Sequence, residues 1–190
     1  MKVLTSLVVA SIVGVSGLFG SSFNVDPSHT NVGFKVKHMM ISNVNGKFNN
    51  FEGTFSIDDS TKKFTKLDGI VKVASITTEN ENRDKHLKSA DFFDVEKYPQ
   101  MKLKLVEHNG DTALVELSIK DVTKTIKMDV EDISGMVKDP WGNVRTAFVL
   151  EGKIDRQEFN IKFSKVIETG ALMVGNEVKI IIEAEGILTK

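Results

Sequence analysis

The sequence predicts an all-β domain, an antiparallel barrel or sandwich of about eight strands joined by short turns and carrying one short helical insert. Three observations lead there. Most of the chain alternates apolar and polar residues with period two, the strand patterns do not alternate with helical ones, and one stretch, Asn82 to Pro99 (NRDKHLKSADFFDVEKYP), abandons the alternation. Strand length and bending favour the barrel, because long bent strands close on themselves more readily than short flat ones.

The chain opens with Met1 and Lys2, then runs uncharged from Val3 to Phe19. That is the pattern of a secretory leader, and Thr5, Ser6, Ser11, Gly14 and Ser16 interrupt it too often for a permanent membrane span. The expectation is a leader over residues 1–22, cut after Ser22 or after Gly17, and a domain over 23–190, placing the product in the periplasm or outside the cell. The sequence has no cysteine, so it has no disulfide framework and no thiol for lipid anchoring. A domain of this size can bury its own core without bridges. With 25 basic and 26 acidic residues spread along the strands and no basic block, a nucleic-acid surface is excluded.

Val32, Phe34, Val36 and His38 share one face of the first long strand, with Lys35 and Lys37 on the other. Val44, Gly46 and Phe48 continue on a second. The phase then slips across Asn49 and Asn50 to Phe51, Gly53, Phe55 and Ile57, as a bulge that bends the sheet would produce. Asp58 to Thr61 reads as a turn, and Leu67 to Thr77 as a strand apolar on both faces. Met101, Leu103 and Leu105 precede a hairpin at Asn109-Gly110-Asp111. Ala113, Val115, Leu117 and Ile119 answer it, Asp121 to Thr123 turn, and Ile126, Met128 and Val130 return. After the turn Asp139-Pro140-Trp141-Gly142 comes Val144 to Ile154. An irregular run, Asp155 to Asn176, leads into the last strand, Val178 to Leu188.

Within the insert, Thr78 and Glu81 have capping-box spacing, which predicts a helix starting at Thr78. Leu87 would be its single apolar anchor. Phe92 and Phe93 carry most of the apolar area, and Pro99 marks the return to a strand. The insert reads as a plug over the end of the sheet or as a movable lid. The inward positions mix large residues (Phe34, Phe48, Phe55, Phe148) with small ones (Gly46, Gly53, Gly152, Ala184, Gly186). A barrel of this size can be filled by side chains or can hold one small ligand, and the alternation leaves both open.

Several blocks resemble a known family. Asn24-Val25-Asp26-Pro27-Ser28-His29-Thr30, Phe34, Val36, His38, Val44 and Gly46-Lys47-Phe48 are similar to the opening of the YceI-like family, the polyisoprenoid-binding periplasmic proteins. Arg83-Asp84, His86-Leu87, Asp91-Phe92-Phe93-Asp94 and Tyr98-Pro99 resemble its central signature. Val122-Thr123-Lys124, Arg156 with Phe159, and Val174-Gly175-Asn176-Glu177-Val178 resemble its later ones. Two positions depart from the pattern: Lys120 and Asp121 stand at a turn where the family has glycine, and Asn160 replaces the glycine after Phe159. Asparagine and aspartate tolerate left-handed backbone, so both turns can form. The resemblance implies an extended, lipocalin-like barrel whose interior holds a long isoprenoid, an isoprenoid quinone or a similar fatty amphiphile, commonly as a homodimer; no cofactor is expected.

On that reading the cavity wall is Phe34, Val36, Phe48, Phe55, Ile57, Leu103, Leu105, Leu117, Phe148, Leu150 and Ile182, and the mouth is His38, Arg83 and His86. The expected function is a carrier, not an enzyme. A lipid- or quinone-modifying enzyme using His38 or His86 as base, and an exported barrel without a ligand, are the other readings. His29, His38, His86 and His108 lack metal-ligand spacing, so no metal is expected. His29 is expected to cap the first turn, His86 to hydrogen-bond within the insert, and Arg83 with Asp84 to form an ion pair that pins it. No nucleophile elbow or phosphate loop is present.

Overall fold

The computed structural model describes residues 20–131 and 133–189. The expected leader lies outside them except for Gly20, Ser21 and Ser22. The first strand, β1 (Ser21–Val25), contains the junction expected after Ser22, whereas a junction after Gly17 leaves β1 whole. Then follow β2 (Asn31–His38), β3 (Ser42–Phe48), β4 (Phe51–Asp58), β5 (Lys63–Lys72) and β6 (Ile76–Thr77). After the helix α1 (Glu81–Lys88) come β7 (Gln100–Asn109), β8 (Thr112–Ile119), β9 (Val122–Glu131), β10 (Val137–Lys138), β11 (Val144–Asp155) and β12 (Val174–Leu188). Every pairing among the described strands is antiparallel, and the sheet closes where β11, already paired with β9, also pairs with β12 from Arg145 to Asp155.

Three strands of this barrel are broken at one level. Between β1 and β2 the chain makes a 3-10 turn over Pro27–His29, between β3 and β4 it bends at Asn49 and Asn50, and between β5 and β6 it turns over Val73–Ser75. The lower pieces pair with one another, β1 with β4 and β4 with β5, and the upper pieces likewise, β2 with β3 and β3 with β6. The phase slip at Asn49 and Asn50, read as a bulge, is a bend that separates two strands, β3 ending at Phe48 and β4 beginning at Phe51. The strand read over Leu67 to Thr77 is therefore two strands, and it begins earlier, at Lys63.

The first break is fixed by Asp26, which accepts from Ser28 N (3.0 Å) and faces His29 Nδ1 at 2.8 Å. Asp26, not His29, is thus the cap of this turn. Arg145 Nη1 donates to Asp26 Oδ2 (2.8 Å) and to Glu185 Oε1 (2.6 Å), while its Nε donates to Asp139 Oδ2 (2.7 Å). The guanidinium holds the carboxyls of Asp26 and Asp139 well below the usual carboxylate range. Asp26, His29 and Glu185 bring three potential metal-ligand atoms within 4.8 Å of one another. The cation between the two carboxylates is Arg145 itself.

At the lower end the interior is solid. Phe23 stacks on Phe55 with centroids 5.1 Å apart, and Phe148 meets Phe55 and Phe64 edge-on at 4.9 and 4.8 Å. Met128, Val115 and Leu150 complete this fully buried floor. Two of the small inward residues serve aromatic rings and leave no empty space. A Cβ on Gly186 would lie 2.4 Å from the Phe55 ring, and one on Gly46 2.3 Å from the Phe34 ring.

His108 closes the lower end. Its Nδ1 accepts from Phe64 N (2.8 Å), so the proton sits on Nε2, which donates to Gly110 O (3.0 Å). Burial lowers its pKa from the ordinary value of 6.5. Between the lowered folded value and the unfolded one, the unfolded chain binds more protons, so stability is full above about pH 6.5 and falls as the pH drops below it. His108→Asn, which keeps an acceptor for Phe64 N, is expected to flatten the pH dependence of the urea midpoint between pH 7 and 5. An unchanged slope would assign it to other groups.

Candidate functional site

The upper half of the barrel is hollow. Above the aromatic floor lies an apolar cavity of about 190 Å³, walled by β2, β3, β4, β5, β7, β8, β11 and β12 and roofed by the insert. Phe34, Val36, Phe48, Leu103, Leu117, Phe148, Leu150 and Ile182 line it, as expected from their parity. Three expected wall residues do not. Phe55 and Ile57 are spent in the floor, at 0% and 1% exposure, and Leu105 packs against the same cluster. Strand parity states which side of the sheet a residue faces but not its height along the barrel, and these three stand too low.

The same parity carries residues left out of the expected wall, among them Val32 and Ile180, which neighbour Phe34 and Ile182 on one face. Leu87, Phe92 and Phe93 of the insert form the roof, and Phe93 meets Phe48 edge-on at 6.2 Å. No period-two count could have placed them. Glu52, Asp68 and Lys102 border the cavity where Gly53 and Gly69 lie opposite each other in β4 and β5. Glu52 and Lys102 are exposed.

The expected mouth residues are elsewhere: His38, Arg83 and His86 do not line the cavity. His38 pairs with Ser42 at the end of the β2–β3 hairpin. His86 does bond within the insert, with Nε2 2.9 Å from Asp91 Oδ2 and its ring edge-on to Phe92 and Phe163. The capping box does not form. Asn80 is the N-cap of α1, its side chain accepting from Arg83 N (3.0 Å), because Thr78 is engaged by residues further along. Thr78 N and Oγ1 donate to Asp84 Oδ1 at 2.8 and 2.5 Å, and Arg83 donates through Nε to Thr78 Oγ1 (2.7 Å) and through Nη2 to Thr78 O (2.8 Å). Arg83 and Asp84 pin the insert as expected, but through buried Thr78 and not through each other.

Two left-handed residues hold the roof from the other side. Asn160 (φ 58°) is the expected one; at the second turn the left-handed residue is Lys120 (φ 56°), not Asp121. Lys120 Nζ donates to Phe92 O and to Asn160 O, both at 3.0 Å, tying the insert to the 3-10 turn Arg156–Phe159. A glycine there could not make those bonds.

Arg156 is the charged residue buried in the lining, only 3% exposed. Its Nε donates to Gly175 O (2.9 Å), Nη1 to Ile161 O (2.7 Å), and Nη2 to Val174 O (3.2 Å) and Asn176 Oδ1 (3.1 Å). Burial lowers its pKa from the usual guanidinium value, with Asp155 acting in the opposite direction. The guanidinium thus closes the irregular run after β11 onto the start of β12. Chemically the site offers an apolar volume.

The family model of the YceI-like domain matches residues 23–186, which include every wall strand and the insert. The chain belongs to the YceI-like family. Similar YceI-like relatives include a UPF0312 protein of Staphylococcus epidermidis, 36% identical over 166 residues that span 87% of this chain and 96% of that one. Another, from Pectobacterium atrosepticum, is 34% identical over 196 residues, 100% of this chain and 98% of that one. The crystal structure of the Campylobacter jejuni YceI protein superposes with a TM-score of 0.70 at 35% identity, over 87% of this chain and 96% of that one. A polyisoprenoid-binding domain from Saccharophagus degradans, implicated in plant cell wall breakdown, shares the fold at a TM-score of 0.61 with 11% identity, over 90% of this YceI-like chain and 100% of that domain.

Proposed function

We propose that this YceI-like protein is an exported binding protein, not an enzyme, that shelters the apolar tail of an isoprenoid, an isoprenoid quinone or a similar amphiphile. One observation carries this: a closed barrel that is solid at one end and apolar and unfilled by side chains at the other, with its buried arginine already occupied by protein oxygens. Burial of each CH₂ contributes about 0.8 kcal/mol, so such a volume binds hydrocarbon without directed chemistry. The polar headgroup stays at the border with Glu52, Asp68 and Lys102 or outside, because the interior of the lining is apolar and the donors of Arg156 are already taken. Against the catalytic reading, His38 and His86 both stand outside the lining. Sharing its fold with a polyisoprenoid-binding domain supports the ligand class.

The volume also limits the ligand. An apolar cavity of about 150 Å³ takes up benzene, so 190 Å³ holds a short stretch of chain. A longer tail requires Leu87 and Phe93 of the roof to move outward, which makes the insert a lid. The test is organic extraction and mass spectrometry of protein purified from the periplasm, beside Ile182→Trp, which fills part of the cavity. Excluding about three methylenes at about 0.8 kcal/mol each lowers capture of a prenol probe about fifty-fold. Clean extracts from the wild type with no uptake of the probe would overturn the binding role, and undiminished uptake by Ile182→Trp would overturn the site.

A further inference from the structure

The end of the barrel that carries the insert also bears exposed apolar side chains that the cavity does not use. The β2–β3 hairpin turns through Met39 and Met40, both left-handed (φ 49° and 63°), with Ile41 N donating to His38 O (3.1 Å). Two successive residues at positive φ are what Asn-Gly supplies with least strain. Methionine at both positions is a costly way to make a turn, and it leaves Met40 56% and Ile41 84% exposed.

A second segment lies against the first. Met39 N donates to Met173 O (2.9 Å), and Met173 N to Lys165 O (2.8 Å). Val166, bridged to Leu172, is 57% exposed. Lys37, Lys162 and Lys165 stand exposed beside these apolar tips, with Glu168 the acid of the 160–173 segment and Asp91 the exposed acid of the insert that reaches it through His86 and Phe163. Directly below, Val36 and Val178 pair across β2 and β12 and line the cavity. An apolar tip flanked by three exposed lysines, continuous with an apolar cavity, has the chemistry of an interfacial anchor for anionic lipid.

We propose that this rim docks on the surface of an anionic bilayer. Met40, Ile41 and Val166 enter the headgroup boundary, the lysines meet lipid phosphates, and the roofed end of the cavity faces the membrane. This rests on the lipid-binding reading above, since a tail that would be exposed to water in transit is better taken up at a membrane.

Flotation of the purified protein with vesicles of phosphatidylglycerol and phosphatidylcholine, against phosphatidylcholine alone, tests it. The wild type should float with the anionic vesicles and be released by salt. The combined variant Met39→Asn, Met40→Gly, Ile41→Ser gives the turn its preferred residues, so it should melt at or above the wild-type temperature yet lose at least tenfold in vesicle binding. Lys37→Glu with Lys165→Glu should lose binding to the anionic vesicles. Uptake of a prenol probe from ethanol should be unchanged in both variants, which separates failure of docking from failure of the cavity. Wild-type binding by the turn variant, or no flotation of the wild type, would overturn the proposal. So would sedimentation in which the turn variant converts a dimer to a monomer without any vesicle binding, which would make this rim a contact between copies.

Discussion

Replacing Arg156 with methionine is expected to remove a large part of the stability of the barrel. The side chain is 3% exposed, and its four hydrogen bonds all go to neutral oxygens: the carbonyls of Ile161, Val174 and Gly175 and the amide of Asn176. A buried acceptor stripped of its donor costs about 1–3 kcal/mol, so three carbonyls left dry amount to several kcal/mol of a total that is typically about 5–15 kcal/mol. Methionine preserves the apolar stem, so the loss reports the bonds and not a void. Arg156→Lys should recover little, because an ammonium cannot span oxygens that a planar fork reaches from three nitrogens. Urea denaturation measures the effect. A midpoint within error of the wild type in either variant would mean that water or a rearranged run over 160–173 satisfies those carbonyls.

Phe55→Ala is expected to cost about 3–5 kcal/mol, the range for truncating a fully buried aromatic. Phe55 is 0% exposed, stacked on Phe23 and edge-on to Phe64 and Phe148, and its ring occupies the space left by Gly186. The void it leaves adjoins Phe148, which also lines the cavity, so the floor should open into the hollow half. The surviving folded fraction should therefore take longer apolar probes than the wild type does, relative to short ones. Thermal melting gives the first effect and a chain-length series of prenols the second. A stable variant with unchanged length preference would show that the floor collapses to refill the space.

The strands were legible because each has one wet face. Lys35 and Lys37 outward against Phe34 and Val36 inward fix the register of β2, and a one-residue slip would reverse all of them. The bend at Asn49 and Asn50 was legible for the same reason, since the phase itself changes there. The insert was legible as an exception to the pattern, but its anchoring was not. Thr78 and Glu81 have the spacing of a cap, and a local rule cannot know that Asp84 and Arg83 reach back to Thr78 and leave Asn80 to cap α1. Lys120 was legible as a residue in a turn. That its ammonium crosses to Phe92 O and Asn160 O depends on contacts 28 and 40 residues away in the chain.

By itself, then, the sequence determined an antiparallel barrel, its turns, the inward face of each strand and the blocks that mark the family. Only the tertiary structure decided that the interior is solid below and hollow above, that Phe55, Ile57 and Leu105 belong to the floor, that Arg156 is spent on carbonyls, and that His38, Arg83 and His86 lie outside the lining. The reason is geometric. Period-two alternation is a property of a single strand and assigns a side, whereas height in the barrel depends on the stagger between strands, and occupancy on which rings meet across it. Both are set by residues distant in the chain, as when Gly186 yields its place to Phe55.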